Sequence, residues 1–274
     1  MRLADAIAFL VVGVFGLKRR RTMTRLREVF PEKSGSELRR IAIKSFANLL
    51  KIAIEMMRAP KFDRAWMDRH VHEGEKYRDL LKDLIKERKG VVIMVPHTGN
   101  WYMAAWAMAK YSLPLFAIAA RQRNPKIDAW INRQYTDIEV LDRDCRDTLV
   151  KIKAKIKSGG AFAILPDLRV RKKDVVTQFL RGQANVSHAG AMFAVKCGSP
   201  IVVAAMSREN GKHVFNYFGT LHPKTELKSS AEERAEAERL TREVLTKLSD
   251  FILKHPEEWF WYNKRWIHEP AENT

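Results

Sequence analysis

Short apolar runs alternate with stretches of helical periodicity along most of this chain, and this alternation restricts the possible fold more than any other feature. The clearest run, GVVIMVPH at residues 90–97, is short, continuous and rich in β-branched residues, as expected for a strand covered on both faces. The alternation predicts an α/β fold with a largely parallel central sheet flanked by helices. The predicted strands lie at 90–97, 113–121, 138–142, 160–167, 200–207 and 213–219, and the helices between them lie at 101–110, 125–135, 146–159 and 187–197.

Further helical segments precede and follow this alternating region. They are predicted at 34–60, 74–88 and 230–254. The first has Ser34 or Ser36 as its N-cap and ends at Pro60. Since the chain contains no internal repeat and no low-complexity linker, we expect N-terminal membrane-anchoring and amphipathic helices at 1–60, followed by one α/β domain at 61–274.

The N-terminus joins an apolar segment to a basic one. LADAIAFLVVGVFGL, at 3–17, is followed at once by KRRRTMTRLR, at 18–27. As a helix the apolar segment reaches roughly 22 Å, less than the roughly 30 Å of a hydrocarbon core. A secretory signal has its basic residues first, whereas here they follow and should remain on the cytoplasmic side. We therefore predict an anchor that dips into or lies on the inner leaflet. The alternative is a buried first helix with a solvated basic end.

The chain is strongly basic, with 50 Lys and Arg against 32 Asp and Glu and a net charge of +18. Such a charge indicates anionic partners: nucleic acid, an anionic membrane surface, acidic small molecules or acidic carrier proteins. Nucleic acid is disfavoured, because the sequence has no helix-turn-helix, zinc-finger or RNP-like pattern. Cys145 and Cys197 form neither a CxxC pair nor a disulfide framework, and we predict no metal site. The lack of a G-x-S-x-G elbow disfavours a serine hydrolase.

Three predicted strands end in polar residues that can carry chemistry: His97, Arg121 and Asp167. In parallel sheets, ligands bind beyond the carboxyl ends of the strands, so we expect these side chains to share a site. The alternative is that polar residues simply mark the ends of strands.

His97 lies where a strand meets a helix, and a histidine there can act as a general base at neutral pH. Gly99 permits a tight turn and close approach of a substrate. Asn100 can cap the helix that begins at Trp101. The alternative is an ordinary turn histidine whose hydrogen bonds are satisfied.

The segment HTGNWYMAAW, at 97–106, resembles the His-x-Gly-Asn-Trp-Glu block of the lipid A late acyltransferases, which belong to the lysophospholipid acyltransferase superfamily. Other blocks resemble the same family in the same order, so that the resemblance covers about 27–266. These blocks are REVFPEKSGSE (27–37), AARQRNPKIDAWINRQY (119–135), AILPDLRVRKK (163–173), the stretch 176–211 and HPEEWFWYNKRW (255–266).

The resemblance implies a glycerolipid acyltransferase-like fold and an O-acyl transfer. A thioester of acyl carrier protein or coenzyme A would donate the chain, and a hydroxyl of a glycolipid or lysolipid would accept it. His97 would be the general base, no other cofactor is implied, and the enzyme would work at the cytoplasmic face of the bacterial inner membrane. The residues assigned to the substrate site are Asn100, Trp101, Arg121, Asn124, Arg133 and Arg169. For the arginines, the alternative is a solvated basic face.

The chain departs from the family at Tyr102, where the fifth residue after the histidine is normally a carboxylate. That acid orients the imidazole and stabilises its protonated form, and a tyrosine hydroxyl brings no charge at pH 7. Asp167 is the candidate to replace it, so the candidate catalytic residues are His97, Tyr102 and Asp167. The alternative function is a catalytically impaired paralogue that binds lipid or acyl chains without transferring them.

The aromatic segment EWFWYNKRW, at 258–266, is predicted to pack the end of the closing helix onto the sheet, because large aromatic side chains dominate protein cores. Contact of these side chains with lipid is the alternative.

Overall fold

A computed structural model describes residues 2–73, 79–80, 83–84, 90–109, 114–122, 124–133 and 138–272 of the chain. Within these residues, seven strands form a central sheet and two more form a separate hairpin. The strands are β1 (Val71–Glu73), β2 (Val91–Met94), β3 (Leu115–Ala119), β4 (Glu139–Asp142), β5 (Ala161–Ile164), β6 (Val175–Phe179), β7 (Gly182–Val186), β8 (Ile201–Glu209) and β9 (Lys212–Leu221).

The central sheet has the order β1-β9-β8-β2-β5-β3-β4. Five strands are parallel to one another: β8, β2, β5, β3 and β4. Strand β9 runs antiparallel to β8. All four residues of β2, at the centre, are buried, because helices cover both faces. The predicted α/β fold with a mostly parallel sheet is confirmed.

Helices cover the sheet, and four α-helices precede its first strand in the described part of the chain. The helices are α1 (Arg2–Ala8), α2 (Arg19–Val29), α3 (Gly35–Arg58), α4 (Arg64–His70), α5 (Trp101–Ala109), α6 (Pro125–Arg133), α7 (Thr148–Lys157), α8 (Ala189–Cys197) and α9 (Ser230–Lys254). A π-helical stretch, Phe9–Val14, continues α1, and short 3-10 turns at Ala59–Lys61 and Pro256–Glu258 follow α3 and α9. Most of the predicted helix at 74–88 lies outside the described residues. The part of it that is described, residues 79–80 and 83–84, is helical.

Helix α3 begins as the sequence predicts. Ser34 is its N-cap and forms a reciprocal capping box with Glu37, which decides between the two predicted caps. The predicted division of the chain at residue 60 remains a prediction. Hydrogen bonds nevertheless tie α3 to the rest of the chain, since the Ser45 hydroxyl donates to the Trp259 carbonyl.

The hairpin of β6 and β7 is absent from the sequence prediction. Strand β6 alternates buried and exposed residues, and the turn has Leu180 and Arg181 at φ 50° and 65°. Turns of this kind normally carry Asn or Gly at these positions, so the sequence contains no turn signal there.

The first helix is buried on one face and exposed on the other. Ala4, Ala8 and Val12 are fully buried, and α1 packs on α3. The exposed apolar side chains of this segment are Leu3, Ile7, Phe9, Leu10, Val14, Phe15 and Leu17. In the part of the chain that the structure describes, no helix is long and apolar enough to cross a bilayer. The anchor stays a prediction.

Gly90, just before β2, is a position where packing demands the absence of a side chain. A Cβ atom there would lie 1.9 Å from the carbonyl oxygen of Ile156 at the end of α7. We expect Gly90→Ala to lower the free energy of unfolding by about 1–3 kcal/mol, as overpacking does. Urea denaturation measures this. Gly35→Ala is the control, because its methyl would meet open space, and an equal loss in the two variants would contradict the packing argument.

Candidate active site

His97 and Asp167 form a hydrogen-bonded pair at the carboxyl end of the sheet. His97 follows β2 and Asp167 follows β5, which lies beside β2. The His97 Nδ1 atom is 2.7 Å from Oδ1 of Asp167, and the His97 backbone N–H donates to Oδ2, also at 2.7 Å. The two residues are therefore joined by both the ring and the main chain.

The Asp167 carboxylate is fully buried yet ionised. Burial by itself would raise its pKa, but the charge that His97 carries when protonated and the hydrogen bonds from His97 and Trp259 hold the pKa below its ordinary value. An ionised carboxylate can only accept hydrogen bonds, so His97 Nδ1 must carry the proton. In a neutral imidazole Nε2 then has a free lone pair, which is the state a general base requires.

The C-terminal segment completes this arrangement. The indole Nε1 of Trp259 donates to Oδ2 of Asp167 at 2.8 Å. Backbone hydrogen bonds from Phe260 N to His97 O and from Gly99 N to Glu258 O join the segment to the turn. Trp259, Trp261, Tyr262 and Trp266 are buried in the core with residues of the sheet, which confirms the predicted packing of the aromatic segment. Its contact with Asp167 was not predicted, although the terminal block of the resemblance includes Trp259.

Asn100 holds the turn that follows His97. Its Oδ1 accepts from the N–H groups of Tyr102 and Met103, at 3.0 and 3.1 Å, so the predicted cap of α5 is confirmed. Its Nδ2 donates to the Glu55 carboxylate of α3 at 2.7 Å. Asn100 is fully buried and therefore positions the turn in this structure, whereas the sequence predicts for it a contact with substrate.

Glu55 belongs to a buried network that sequence reasoning missed. Both of its carboxylate oxygens accept from the Arg208 guanidinium at 2.6 Å, and Arg208 Nε donates to Asn48 at 2.8 Å. Asn48 in turn donates to the carbonyl of Gly99 at 2.9 Å. The signal available in the sequence was slight: a lone Glu in an amphipathic helix and an Arg near a strand end.

The ionisation of Glu55 is set by this network. Burial would raise its pKa, but hydrogen bonds from His213 and Arg208 and the charge of Arg208 lower the pKa to about 2. Burial also lowers the pKa of His213, which is therefore neutral at pH 7 and contributes a hydrogen bond rather than a charge. The charge that stabilises Glu55 is that of Arg208.

Gly99 is required by the turn itself. Its φ is +54°, and a Cβ atom there would lie 2.4 Å from the carbonyl oxygen of Met206 in β8. Close approach of the turn to β8 explains this glycine.

A mostly apolar cavity of about 540 Å³ opens beside His97, a size typical of ligand sites. Its polar wall includes Arg143 and Arg169. Its apolar wall includes Met94, Ile118, Ile152, Ile164, Phe193 and Val244. The cavity therefore runs from the histidine into the space between the sheet and helices α7, α8 and α9.

Arg169 lies at this cavity but is engaged with the C-terminal segment. Its Nε donates to Glu269 O at 3.0 Å, its Nη2 donates to Pro270 O, and its Nη1 is 3.6 Å from the Glu272 carboxylate. Nη1 is buried and has no hydrogen-bond partner among the described residues. The predicted phosphate contact of Arg169 remains a prediction.

Tyr102 lies at a second, smaller cavity of about 290 Å³, together with Arg121. The Arg121 side chain is 78% exposed, and its Nε is 2.6 Å from Asp142. The carboxylate bonded to the His97 ring is that of Asp167, and Trp101 places its ring edge-on to the imidazole with 5.1 Å between centroids.

Asn124 and Arg133 lie on the exposed surface at the two ends of α6. Asn124 Oδ1 accepts from the Lys126 N–H at 2.9 Å, and Arg133 Nε donates to Ala129 O at 3.3 Å. Their predicted contacts with substrate remain predictions. Across the described ranges, His, Cys, Asp and Glu side chains form no group of three or more that could hold a metal ion.

Comparison with known proteins gives a family match over almost the whole chain. The model of one family, bacterial lipid A biosynthesis acyltransferase, matches residues 1–268. Among solved structures, the chain is similar to the crystal structure of the 1-acyl-sn-glycerophosphate (LPA) acyltransferase PlsC from Thermotoga maritima. The identity is 15% and the TM-score 0.40, covering 90% of this chain and 95% of that chain. No curated protein matches the chain significantly.

The Glu55 network predicts a specific loss of acid stability. Because the folded-state pKa of Glu55 lies below its value in the unfolded chain, its contribution is present above about pH 4.5 and is lost as the pH falls towards 2. We expect Glu55→Gln to cost roughly 3 kcal/mol at pH 7 and to flatten the stability curve between these pH values. Chemical denaturation at several pH values measures both effects.

Glu139→Gln is the matched control, since Glu139 forms an exposed ion pair with Lys155 on the surface. Such a pair contributes at most about 1 kcal/mol. A Glu55→Gln variant with the acid dependence of the unaltered protein would refute the role given to the network.

Proposed function

The chain belongs to the family of bacterial lipid A biosynthesis acyltransferases, and from this premise we propose which reaction it performs. It transfers a fatty acyl chain from a thioester to a hydroxyl of a lipid A-type glycolipid or a related lipid, with His97 as general base. The observation that carries the proposal is the hydrogen bond of His97 Nδ1 to the buried Asp167 carboxylate, which leaves Nε2 as the basic atom.

In the proposed reaction, Nε2 of His97 takes the proton of the acceptor hydroxyl while its oxygen attacks the thioester carbonyl carbon. The tetrahedral intermediate collapses, the carbon–sulfur bond breaks, and the departing thiolate receives the proton from His97. The products are an ester and a free thiol, and the histidine returns to its starting state.

Asp167 acts as the positioning residue for His97 in this proposal. Its negative charge stabilises the imidazolium that forms when the hydroxyl proton is taken, and its contact holds the tautomer with a free Nε2. It thereby supplies the negative charge and the hydrogen bond that a carboxylate at the position of Tyr102 would supply. Trp259 supports the ionised state of Asp167 from the other side.

The acyl chain is proposed to lie in the cavity beside His97. Its walls are mostly apolar, and burying a methylene group there contributes about 0.8 kcal/mol. Arg143 and Arg169 stand at the same cavity, where guanidinium groups can bind a phosphate of the donor or the acceptor.

The donor is proposed to be acyl carrier protein or coenzyme A, and the site of action the cytoplasmic face of the inner membrane. Both donors and the anionic leaflet are complementary to a chain of net charge +18. The exposed apolar face of residues 3–17 supports attachment to a membrane surface. Mass spectrometry of lipids from cells with and without the gene identifies the acceptor.

The catalytic assignment predicts a graded loss of activity. We expect His97→Ala to lower kcat by about 10²–10⁴, the contribution of general acid–base catalysis. Asp167→Asn should lower kcat by up to about 10⁴ without unfolding the chain, because the neutral amide favours the wrong tautomer. Tyr102→Phe should leave kcat unchanged. The measurement is thiol release from an acyl thioester with lipid acceptors, together with mass spectrometry of the ester.

Tyr102→Glu distinguishes the alternative, a paralogue that binds lipid without transferring acyl chains. Activity in this variant but not in the unaltered chain would support the impaired paralogue. Activity of the unaltered chain that His97→Ala abolishes would exclude it.

The acyl cavity predicts a change in chain-length preference. Val244 is fully buried in α9 and lines the cavity. We expect Val244→Phe to shift the preference towards shorter acyl chains, because the larger side chain occupies part of the cavity. The measurement is the ratio of rates with short and long acyl thioesters, which stays meaningful if stability falls. Val150→Phe, on the exposed face of α7, is the control, and an unchanged ratio in Val244→Phe would place the chain elsewhere.

A further inference from the structure

A third cavity, of about 670 Å³, is lined mostly by residues of the N-terminal segment and shares none of its residues with the cavity beside His97. Five of the ten residues in its wall are basic. The residues that line it are Gly16, Lys18, Arg19, Arg20, Arg21, Thr24, Arg25, Glu28, Trp266 and Glu269.

Arg25 is the buried element of this cavity. Its side chain reaches the C-terminal segment, where Nη1 donates to Trp261 O at 2.9 Å and to Asn263 O at 2.7 Å. The residue is only 3% exposed, and its Nη2 is buried with no hydrogen-bond partner in the described part of the chain. A buried guanidinium nitrogen without an acceptor is costly, and Arg25 lines this cavity, so an anion bound there would be stabilised by its charge.

The two carboxylates of the cavity, Glu28 and Glu269, accept hydrogen bonds from Trp266 in the same wall, and their charges act to raise the pKa of Arg25. Glu28 accepts from the indole Nε1 of Trp266 at 2.8 Å, and Glu269 accepts from the Trp266 backbone N–H at 2.9 Å. Burial and the nearby Arg21 lower the pKa of Arg25 to about 10, which still leaves its guanidinium charged at pH 7.

The cavity also faces the start of a helix. Helix α2 begins at Arg19, and Lys18 before it has φ 54°, so the chain reverses there. The Arg19 N–H donates to the Gly16 carbonyl, but the dipole of the 11-residue helix favours an anion at this end. Phosphate, with three strong acceptor oxygens and a charge of about −1.5 to −2 as a monoester, matches both the helix end and the guanidinium groups.

The residues that adjoin this cavity in the chain are exposed and apolar. Phe15 is 80% exposed and Leu17 54% exposed, and they flank Gly16 in the cavity wall. A ligand that has a phosphate group and an apolar body therefore fits the cavity and the surface beside it.

We propose that this cavity binds the phosphate group of an anionic phospholipid of the membrane, while the exposed apolar side chains of residues 3–17 enter the acyl region. The lipid is a structural ligand that holds the chain at the surface, and not the acyl acceptor. The inference rests on the proposed membrane location but not on acyl transfer.

Vesicle binding tests the proposal. The full chain is titrated at physiological ionic strength with phosphatidylcholine vesicles that contain phosphatidic acid, or oleic acid at the same surface charge. We expect tighter binding to phosphatidic acid. Lys18→Asn with Arg20→Gln, at two exposed positions, should weaken it roughly 30-fold, the equivalent of about 1 kcal/mol for each basic residue. Asn tolerates the left-handed conformation of Lys18.

Two controls separate a built site from general charge. Lys212→Gln with Lys228→Gln removes the same charge from exposed positions outside the cavity and should leave binding unchanged. Arg25→Lys keeps the charge but not the planar fork and should abolish the preference for phosphatidic acid over oleic acid. Equal binding of the unaltered chain to both vesicles, or equal losses in the two double variants, would overturn the proposal.

One further measurement tests whether the phosphate comes from a lipid or from solution, and another tests the membrane location. Release from phosphatidic acid vesicles by inorganic phosphate, beyond that caused by sodium chloride of equal ionic strength, would assign the cavity to soluble phosphate and overturn the lipid assignment. Leu10→Ser with Phe15→Ser removes two exposed apolar side chains and leaves the charge unchanged. This double variant should therefore bind both kinds of vesicle more weakly. Failure of the unaltered chain to bind either vesicle would refute the location and the lipid site together, whereas acyl transfer in detergent would be unaffected.

Discussion

The hydrogen bonds around Asp167 lie where strands β2 and β5 end, and the orientation of His97 depends on them. A fully buried carboxylate is costly unless its oxygens are satisfied, and here the ring and backbone of His97 and the indole of Trp259 satisfy them. These donors come from two segments far apart in the chain. The C-terminal segment therefore contributes one of the hydrogen bonds that favour the ionised carboxylate, and the contact of Asp167 with Nδ1 selects the tautomer of His97.

Hydrogen bonds to helix α3 also hold the turn that follows His97. Asn100 is bonded to Glu55, and Gly99 to Asn48, so that helix α3 fixes the backbone next to the histidine. Arg208 from β8 neutralises Glu55 and donates hydrogen bonds to Asn48 and Glu55 of α3, the two residues that hold the turn. Such support keeps reacting groups in place without relying on loops. Because α1 packs on α3 as well, the N-terminal segment and the candidate active site share one supporting helix.

The sequence predicts those elements whose local pattern agrees with their final environment. Strand β2 is apolar throughout because both faces are covered, and its short length and β-branched residues reveal it. The β6–β7 hairpin was missed because Leu180 and Arg181 adopt left-handed conformations that their residue types do not indicate. The resemblance places Arg121 in the substrate site, but the side chain is largely exposed and paired with Asp142, which only the packing of β3 against β4 brings close.

The sequence by itself determined the α/β class, the position of His97 at a strand end and the order of the blocks that resemble the acyltransferase family. It also identified Tyr102 as the point where the chain departs from that family. Only the tertiary structure decided which carboxylate meets the imidazole, because Asp167 is 70 residues from His97 in the chain. Their meeting follows from the sheet order, in which β5 lies beside β2. Strand order results from pairing and crossover connections between distant segments, and local periodicity carries no information about it.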